Sequence, residues 1–344
     1  MATLPAHVWA KILLAVDGCD AASLACTCVD ARNAYRHETN LTRAVRVNRA
    51  GMVLEPASGA FDVTVAPGDD VEAAVASCPR DGSVLLLPGV HRGPVTLRAN
   101  DVHVFGRGLA VLESTLVVRS QRGTTIDGLR FREPDDERLD HHVVIEAGSC
   151  ARVQECDVST VGRPPTDAAI INHALLLVRE GANPVIVRCS FTDGAHSGGV
   201  VFEGSATSGR LVQCIIARNQ GFGVMVQHGA SPLVRSCMIQ GNRLMGVNVI
   251  HGATPRLFYN TISHNAHGGV SIYDAAEPNL VGNTIHSHAV DSAADPVLRP
   301  AIGVGVFVAK WPKKYMETPL MSHANIRDNT FANNEAGDVV CRLT

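Results

Sequence analysis

The sequence is poor in aromatic residues and has no excess of basic ones. Only 4% of its 344 residues are aromatic, and the formal net charge is −3. Nucleic acids are held by clustered Lys and Arg together with stacking aromatic rings. The composition therefore excludes a general nucleic-acid binder, and we expect no nucleic-acid partner.

The chain also lacks long apolar runs. No stretch reaches the length of a membrane-spanning helix, so we expect no membrane partner. The N-terminal run VWAKILLAV is unsuited to a signal peptide, because Lys11 lies in its middle and Asp17 follows it closely. Most of the ten cysteines lie in apolar runs such as IVRCSF, LVQCII and VRSCMI, where a thiol acts as a small buried hydrophobe. We expect reduced thiols and an intracellular protein, cytoplasmic or nuclear.

A repeat occupies the second half of the chain. The segments GANPVIVRCSFTDGAHSGGVVF, GASPLVRSCMIQGNRLMGVNVI and GATPRLFYNTISHNAHGGVSIY are variants of one unit. A spacing of 23 residues recurs in three sets, which are Pro232, Pro255 and Pro278; Cys214, Cys237, Asn260 and Asn283; and Gly223, Gly246 and Gly269. Counting back, Cys189, Cys156 and Leu129 hold the Cys/Asn position at wider intervals, which predicts loops at 134–142 and 160–173.

Each repeat predicts short strands and no helix of useful length. Branched apolar residues alternate in runs bounded by Gly, Pro or Asn. A unit of two or three short strands buries its apolar side only against the units above and below, so the strands must stack in parallel. A polar column, with Gly194, Asn219, Asn242, Asn265, His288 and Asn334, predicts left-handed turn residues whose amides bond along the stack. Leucine-rich repeats are the rival, but their Leu-x-x-Leu-x-Leu spacing is missing.

The segment from residue 70 resembles the opening of pectin-lyase-like β-helices. It reads as a short capping helix, then a strand ending in Pro-Gly, then the first coils. The resemblance covers about Asp70 to Cys341. We predict a mainly β fold, a right-handed single-stranded parallel β-helix over residues 70–344, with residues 46–69 as a linker in which FDVTV is the alternative first edge strand.

The first 45 residues show helical spacing and resemble an F-box. The resemblance implies contacts to a Skp-type adaptor from Leu4, Pro5, Val8, Ile12, Leu13, Val16 and Leu24. Two departures are Ala21 and Ala22 in place of an acidic-Leu pair, and a missing tryptophan after Cys28. F-box proteins that carry a C-terminal β-helix have the same domain order, so residues 1–45 are interpreted as an F-box-like helical domain; another cap for the solenoid is the alternative.

The F-box resemblance implies a receptor and not an enzyme. The chain would be the substrate-recognition subunit of a Skp-cullin-F-box ubiquitin ligase, a monomer within the complex, with the β-helix binding an unknown protein substrate. A carbohydrate-active β-helix enzyme, a lyase or hydrolase, is the alternative, and a non-catalytic interaction protein is the third. Hydrolysis needs two carboxylates at a set separation, and elimination needs a calcium-binding acidic cluster with a basic residue. Neither Gly-His-Gly nor Arg-Ile-Lys, which mark polygalacturonases, is present.

One polar column is the candidate substrate-binding site. When the coils are aligned at their Gly-Val valines, a single line contains Glu146, Glu180, Glu203, His228, His251, Asp274 and Lys310. Neighbours in it are about one coil rise, or about 4.8 Å, apart. A solvated turn column is the alternative. The loop KWPKKYMETP adds Trp311 and Tyr315 as exposed recognition residues. Other histidines, among them His141, His142 and His264, are interpreted as turn or loop residues, and no catalytic residue, metal or cofactor is assigned.

Overall fold

A computed structural model describes residues 61–135, 139–160, 173–289, 303–309 and 323–342. These residues form one short helix, α1 (Val71–Ser77), and strands β1 to β31, which fall into three parallel sheets. Sheet A contains β1 (Val63–Val65), β2 (Gly82–Leu86), β5 (Val102–Phe105), β8 (Thr125–Asp127), β11 (Arg152–Gln154), β14 (Val185–Val187), β17 (Arg210–Val212), β20 (Leu233–Arg235), β23 (Arg256–Phe258), β26 (Asn279–Val281) and β29 (Asn325–Arg327). Sheet B contains β3 (Gly89–Arg92), β6 (Ala110–Glu113), β9 (Arg130–Phe131), β12 (Asp157–Ser159), β15 (Ser190–Thr192), β18 (Ile215–Ala217), β21 (Met238–Gln240), β24 (Thr261–Ser263), β27 (Thr284–His286) and β30 (Thr330–Ala332). Sheet C contains β4 (Val95–Leu97), β7 (Leu116–Val118), β10 (His141–Ile145), β13 (Ala174–Val178), β16 (Gly198–Glu203), β19 (Val224–Gln227), β22 (Met245–Val249), β25 (Gly268–Ile272), β28 (Val304–Ala309) and β31 (Gly337–Arg342).

The chain visits sheets A, B and C in turn, and each circuit stacks on the previous one. Every strand pairs in parallel with its equivalents in the neighbouring circuits. This arrangement is the predicted right-handed parallel β-helix. The 23-residue spacing is confirmed where Leu233 pairs with Arg256 and Arg256 pairs with Asn279.

The core is the interior of the coil. Columns of inward side chains from all three sheets supply it, for example Leu211, Val234 and Leu257 from sheet A, all fully buried. Because a strand alternates its side chains, the residues between them face outward. The polar and charged side chains of the repeat are therefore displayed in columns along the outside.

Asparagine ladders bind the corners of the coil. Asn242 Nδ2 donates to Asn265 Oδ1 at 2.9 Å, and Asn219 Nδ2 donates to Asn242 Oδ1 at 2.9 Å. A second ladder joins Asn260, Asn283 and Asn329. The predicted stacking of amides is confirmed.

The left-handed turn residue lies one position earlier than predicted. Positive φ belongs to Arg218, Gly241 and His264, each just before a ladder asparagine. The asparagines do not make the turn because their amides must face inward to bond along the stack. The preceding residue therefore adopts the left-handed conformation.

Glycine is required at the corner between sheets B and C. A Cβ on Gly223 would lie 2.5 Å from the carbonyl oxygen of Gly246, and one on Gly246 would lie 2.6 Å from Ile262 Cγ2. These contacts leave no room for a side chain. The 23-residue glycine spacing follows from close approach of successive coils.

The first coil is closed as predicted by a helix. Asp70 accepts a hydrogen bond from Ala73 N at 3.0 Å and so caps α1. The side chains of Val71 and Val75 are buried against the end of the stack. Val63–Val65 pair with Val84, Leu85 and Leu86, so part of the predicted 46–69 linker is the alternative first edge strand.

The described cysteines are free thiols. Cys156, Cys189, Cys214 and Cys237 are buried, as predicted, whereas Cys150 and Cys341 are exposed. The F-box-like segment 1–45, with its seven predicted adaptor contacts, lies outside the described residues. Among the described residues, no helix is long and apolar enough to span a membrane.

Candidate active site

The predicted polar column is two adjacent columns. Strand pairing places Glu203 opposite Gln227, and the pairing of Val249 with Ile272 places His251 beside Asp274. Glu203 and His228 therefore lie in different columns, and the prediction of a single line is wrong. Val200 pairs with Val224, so the residue that corresponds to His228 is Gly204 and not Glu203. A one-residue slip of this kind moves a side chain to another column.

The outer of these columns, the corner column, contains His228, His251 and Asp274. The imidazole rings of His228 and His251 stack with their centroids 4.7 Å apart, and His251 Nε2 lies 3.7 Å from Asp274 Oδ2. Burial lowers the pKa of His251, and the neighbouring His228 lowers it further. All three residues have φ between 52° and 54°, a left-handed region in which His and Asp are enriched. The left-handed backbone of the corner is therefore enough to explain why His and Asp occupy these positions.

The inner column carries a buried carboxylate held by two arginines. Arg119 Nε and Arg179 Nε each donate to Glu146 at 2.7 Å, and only 1% of the Glu146 side chain is exposed. Burial acts to raise the pKa of Glu146, but the hydrogen bonds from the arginines outweigh it and the pKa is lowered. Arg179 Nε also lies 3.8 Å from Glu180 Oε1, so two arginines face two carboxylates here. Glu203 continues the column by accepting from Gln227 Nε2 at 3.1 Å.

Three sequence-derived site residues fall outside the described chain. Lys310, Trp311 and Tyr315 belong to residues 310–322, of which the structure describes nothing. Their recognition role stays a prediction. Within the described ranges, no group of three or more His, Cys, Asp or Glu side chains is arranged to hold a metal.

A histidine cluster lies at the corner between sheets B and C, where the sequence indicated only loop residues. The rings of His141 and His173 are 6.1 Å apart, and those of His173 and His196 are 6.3 Å apart. These histidines come from three successive coils. Their alignment was hidden because the coil that joins β10 to β13 has 33 residues instead of 23.

Two members of the cluster are paired with carboxylates. His173 Nε2 lies 3.1 Å from Asp140 Oδ1, with 21% of the His173 side chain exposed. His196 Nε2 lies 3.2 Å from Glu133 Oε1, and both side chains are buried. A carboxylate within hydrogen-bond reach fixes the orientation of the imidazole ring beside it.

His141 and its chain neighbour His142 are kept neutral. Burial lowers the pKa of His141, and the positive charges of His173 and Arg179 act in the same direction. Its Nδ1 lies 3.1 Å from the carbonyl oxygen of Ala174. Burial, aided by His196 and His141, lowers the pKa of His142 to about 3. The interpretation of His141 and His142 as loop residues is wrong, since both belong to β10 and His142 is 1% exposed.

The exposed part of the cluster is equipped for proton transfer. His141 offers a neutral, partly exposed ring as a base, and the neighbouring His173 has a carboxylate partner that suits it to act as an acid. We call His141, His173 and Asp140 the histidine pair site. Arg179 directly follows β13, and His173 directly precedes that strand. The positive charge of Arg179 acts to lower the pKa of His141.

The fold is shared with solved structures of polysaccharide enzymes. An alginate lyase is 13% identical with a TM-score of 0.51, covering 79% of this chain and 70% of its own. The A-module of a mannuronan C-5 epimerase from Azotobacter vinelandii is 14% identical with a TM-score of 0.48, covering 82% and 100%. A pectate lyase is 12% identical with a TM-score of 0.48, covering 81% and 80%. Identities this low show the fold alone.

These comparisons contradict the expectation of a non-catalytic receptor. The alginate lyase, whose TM-score is 0.51, is named as an enzyme, and this finding contradicts the prediction that the chain is not an enzyme. No support is found for an F-box. No curated protein matches the chain significantly.

A family model confirms the repeat independently of these structures. The model of the right-handed β-helix region matches residues 141–340, which is more than half of the 344 residues. The match spans the histidine cluster from His141 onward and every 23-residue coil. The chain belongs to the right-handed β-helix family.

Proposed function

We propose that the chain is a carbohydrate-active enzyme that moves a proton on an acidic polysaccharide at the histidine pair site. The observation that carries the proposal is the pair itself: two imidazoles 6.1 Å apart, one held neutral and one beside a carboxylate. A base and an acid this close together can take a proton from one sugar carbon and deliver a proton to that carbon or to a neighbouring oxygen. Elimination and C-5 epimerisation of a uronate both begin with removal of the proton next to its carboxylate.

The charges near the pair suit an anionic substrate. Abstraction of a proton beside a carboxylate builds negative charge, which a nearby fixed cation stabilises. Arg119 and Arg179 have 40% of their side chains exposed, both donate to Glu146, and Arg179 Nε also lies 3.8 Å from Glu180 Oε1. The two arginines directly follow β7 and β13, the strands on either side of β10.

The test is solvent-proton exchange, which covers both reactions. The full-length protein is incubated in D2O with mannuronan, pectate or alginate, and deuterium at C-5 and new double bonds are measured by NMR. We expect exchange on at least one polymer, and we expect His141→Gln to lower its rate about 100-fold or more. Because the pKa of His141 is lowered, the wild-type rate should fall only below about pH 6.5, where the base becomes protonated.

A matched control is available in the same molecule. The rings of His264 and His286 form an edge-to-face pair with centroids 5.7 Å apart at another corner. Among the described residues, no carboxylate forms an ion pair with either ring. His264→Gln should leave exchange unchanged. Absence of exchange on all three polymers, or full activity in His141→Gln, would show the proposal to be wrong.

A further inference from the structure

The outer face of sheet A carries four exposed arginines that have no acidic partner among the described residues. They are Arg210, Arg235, Arg256 and Arg327, on β17, β20, β23 and β29. No ion pair joins any of them to a carboxylate of the part of the chain that the structure describes. We call this surface the arginine face.

Arginines elsewhere on the coil form ion pairs with carboxylates. Arg80 pairs with Asp101 at 2.9 Å, Arg92 with Glu113 at 3.0 Å, and Arg218 meets Asp193 at 2.6 Å. The two outward columns of sheet A from β17 to β29 contain no Asp or Glu at all. The lack of internal partners is thus a property of this face and leaves its guanidinium groups available to an external anion.

The register spaces these charges along the solenoid axis. Arg210, Leu233 and Arg256 occupy one column, because Arg210 pairs with Leu233 and Leu233 with Arg256. At about 4.8 Å per coil, the two arginines are about 10 Å apart. Arg235 and Arg327 alternate with them in the neighbouring column. The result is a zigzag of cations that suits a linear polymer with regularly repeated negative charge.

Between the arginines the face is apolar and includes an aromatic platform. Phe258, Leu233 and Val281 are half-buried. Tyr259 is 59% exposed, with its ring against Gly282 and the guanidinium of Arg235 5.8 Å from the ring centroid. Apolar side chains and a flat ring fit the C–H faces of pyranose rings, and Arg binds carboxylates through two parallel hydrogen bonds.

We propose that the arginine face binds a linear anionic polysaccharide that lies along the axis of the β-helix. Nucleic acid fits less well, because the chain has a net charge of −3 and this face has one exposed aromatic ring for stacking bases. The face is sheet A, away from the histidine pair site at the corner of sheets B and C. Binding there does not depend on turnover.

The test compares two quadruple variants of the full-length chain with equal loss of charge. One replaces the arginine face: R210Q, R235Q, R256Q and R327Q. The control replaces four exposed arginines elsewhere, R80Q, R122Q, R130Q and R243Q. Affinity for long polygalacturonate chains is measured at low salt, with neutral dextran and single-stranded oligothymidylate as comparison probes.

We expect the arginine-face variant to bind polygalacturonate about tenfold more weakly and the control variant to bind like wild type. Tyr259→Ala, which removes no core side chain, should weaken binding by a smaller factor and serves if the quadruple variant fails to fold. Equal affinity of both variants, or tighter wild-type binding to oligothymidylate than to polygalacturonate, would overturn the proposal. Exchange on a short uronate oligomer should be unchanged in the arginine-face variant, so a failure here is distinguishable from a failure of the histidine pair site.

Discussion

Two stretches of the same β-helix differ in how strictly they keep the repeat. The regular coils, residues 210–286, advance by 23 residues, and their corners hold asparagine ladders. The irregular coils, residues 130–203, advance by up to 33 residues. Their interior and corners contain the buried His142, Glu133, His196 and Glu146.

The difference shows what a strict repeat permits in a buried position. When coils are identical, a buried polar side chain meets only copies of itself above and below. An amide both donates and accepts, so asparagines stack on one another. A carboxylate or a charged imidazole repels its own copy and needs an unlike neighbour. Glu146 with its two arginines, and Glu133 paired with His196, are buried in the irregular coils, which is also where the histidine pair site lies. The regular coils bury His267 and Asp274, which have unlike neighbours in their columns.

The largest expected effect comes from breaking a ladder in the regular coils. Asn242 Nδ2 donates to Ile216 O and Asn265 Oδ1, and its Oδ1 accepts from Asn219. Asn242→Leu should lower the free energy of unfolding by about 4 kcal/mol, because several buried groups lose their partners. Asn334→Leu, at the partly exposed end of the ladder, should cost about 1 kcal/mol. Chemical denaturation measures both, and equal costs would contradict this account of the ladder.

The next effect is an acid sensitivity located in the irregular coils. Burial lowers the pKa of His142 to about 3, whereas an unfolded histidine titrates near 6.5. Between these two pKa values the unfolded chain binds a proton that the folded chain does not bind. The free energy of unfolding therefore falls as the pH falls. The slope is about 1.4 kcal/mol per pH unit, or about 2 kcal/mol between pH 6.5 and pH 5.

Replacement of His142 tests this source of acid sensitivity. His142 corresponds by register to the buried Leu175 of the next coil, so His142→Leu should fold and should make the pH dependence less steep. Part of the slope should remain, because burial also lowers the pKa of His288 to about 4. Denaturation midpoints across this pH range provide the measurement. His264→Gln, at an exposed position, is the control and should keep the wild-type slope; a wild-type slope in His142→Leu would place the effect elsewhere.

The smallest effect is a stabilisation that would extend the second ladder. Cys237 precedes Asn260 in the same column, and its Sγ lies 3.4 Å from Leu211 O, the carbonyl that a ladder amide would reach. Cys237→Asn should raise the free energy of unfolding by about 1 kcal/mol. Cys156→Asn, flanked by Leu129 and Cys189, should bring no gain because it has no asparagine to stack on. A gain in both variants would argue against a contribution specific to the ladder.

Most of the fold could be predicted from particular residues. Pro232, Pro255 and Pro278 revealed the coil length, and the Cys/Asn column predicted the register back to Leu129, which lies beside Cys156 as expected. The capping helix was predicted from the resemblance of the segment from residue 70 to the opening of pectin-lyase-like β-helices. The candidate site was predicted less well, because Glu203 was aligned with His228 although it pairs with Gln227.

The sequence by itself determined the parallel stack, since a 23-residue unit rich in branched residues and glycine buries its apolar side only against copies of itself. Only the tertiary structure decided which polar side chains meet. His141 and His173 are brought together across a coil whose inserted residues obscure the spacing, and burial by the surrounding strands decides that His141 is neutral. The four arginines of sheet A likewise became a site candidate only when their neighbours in space proved to hold no acid.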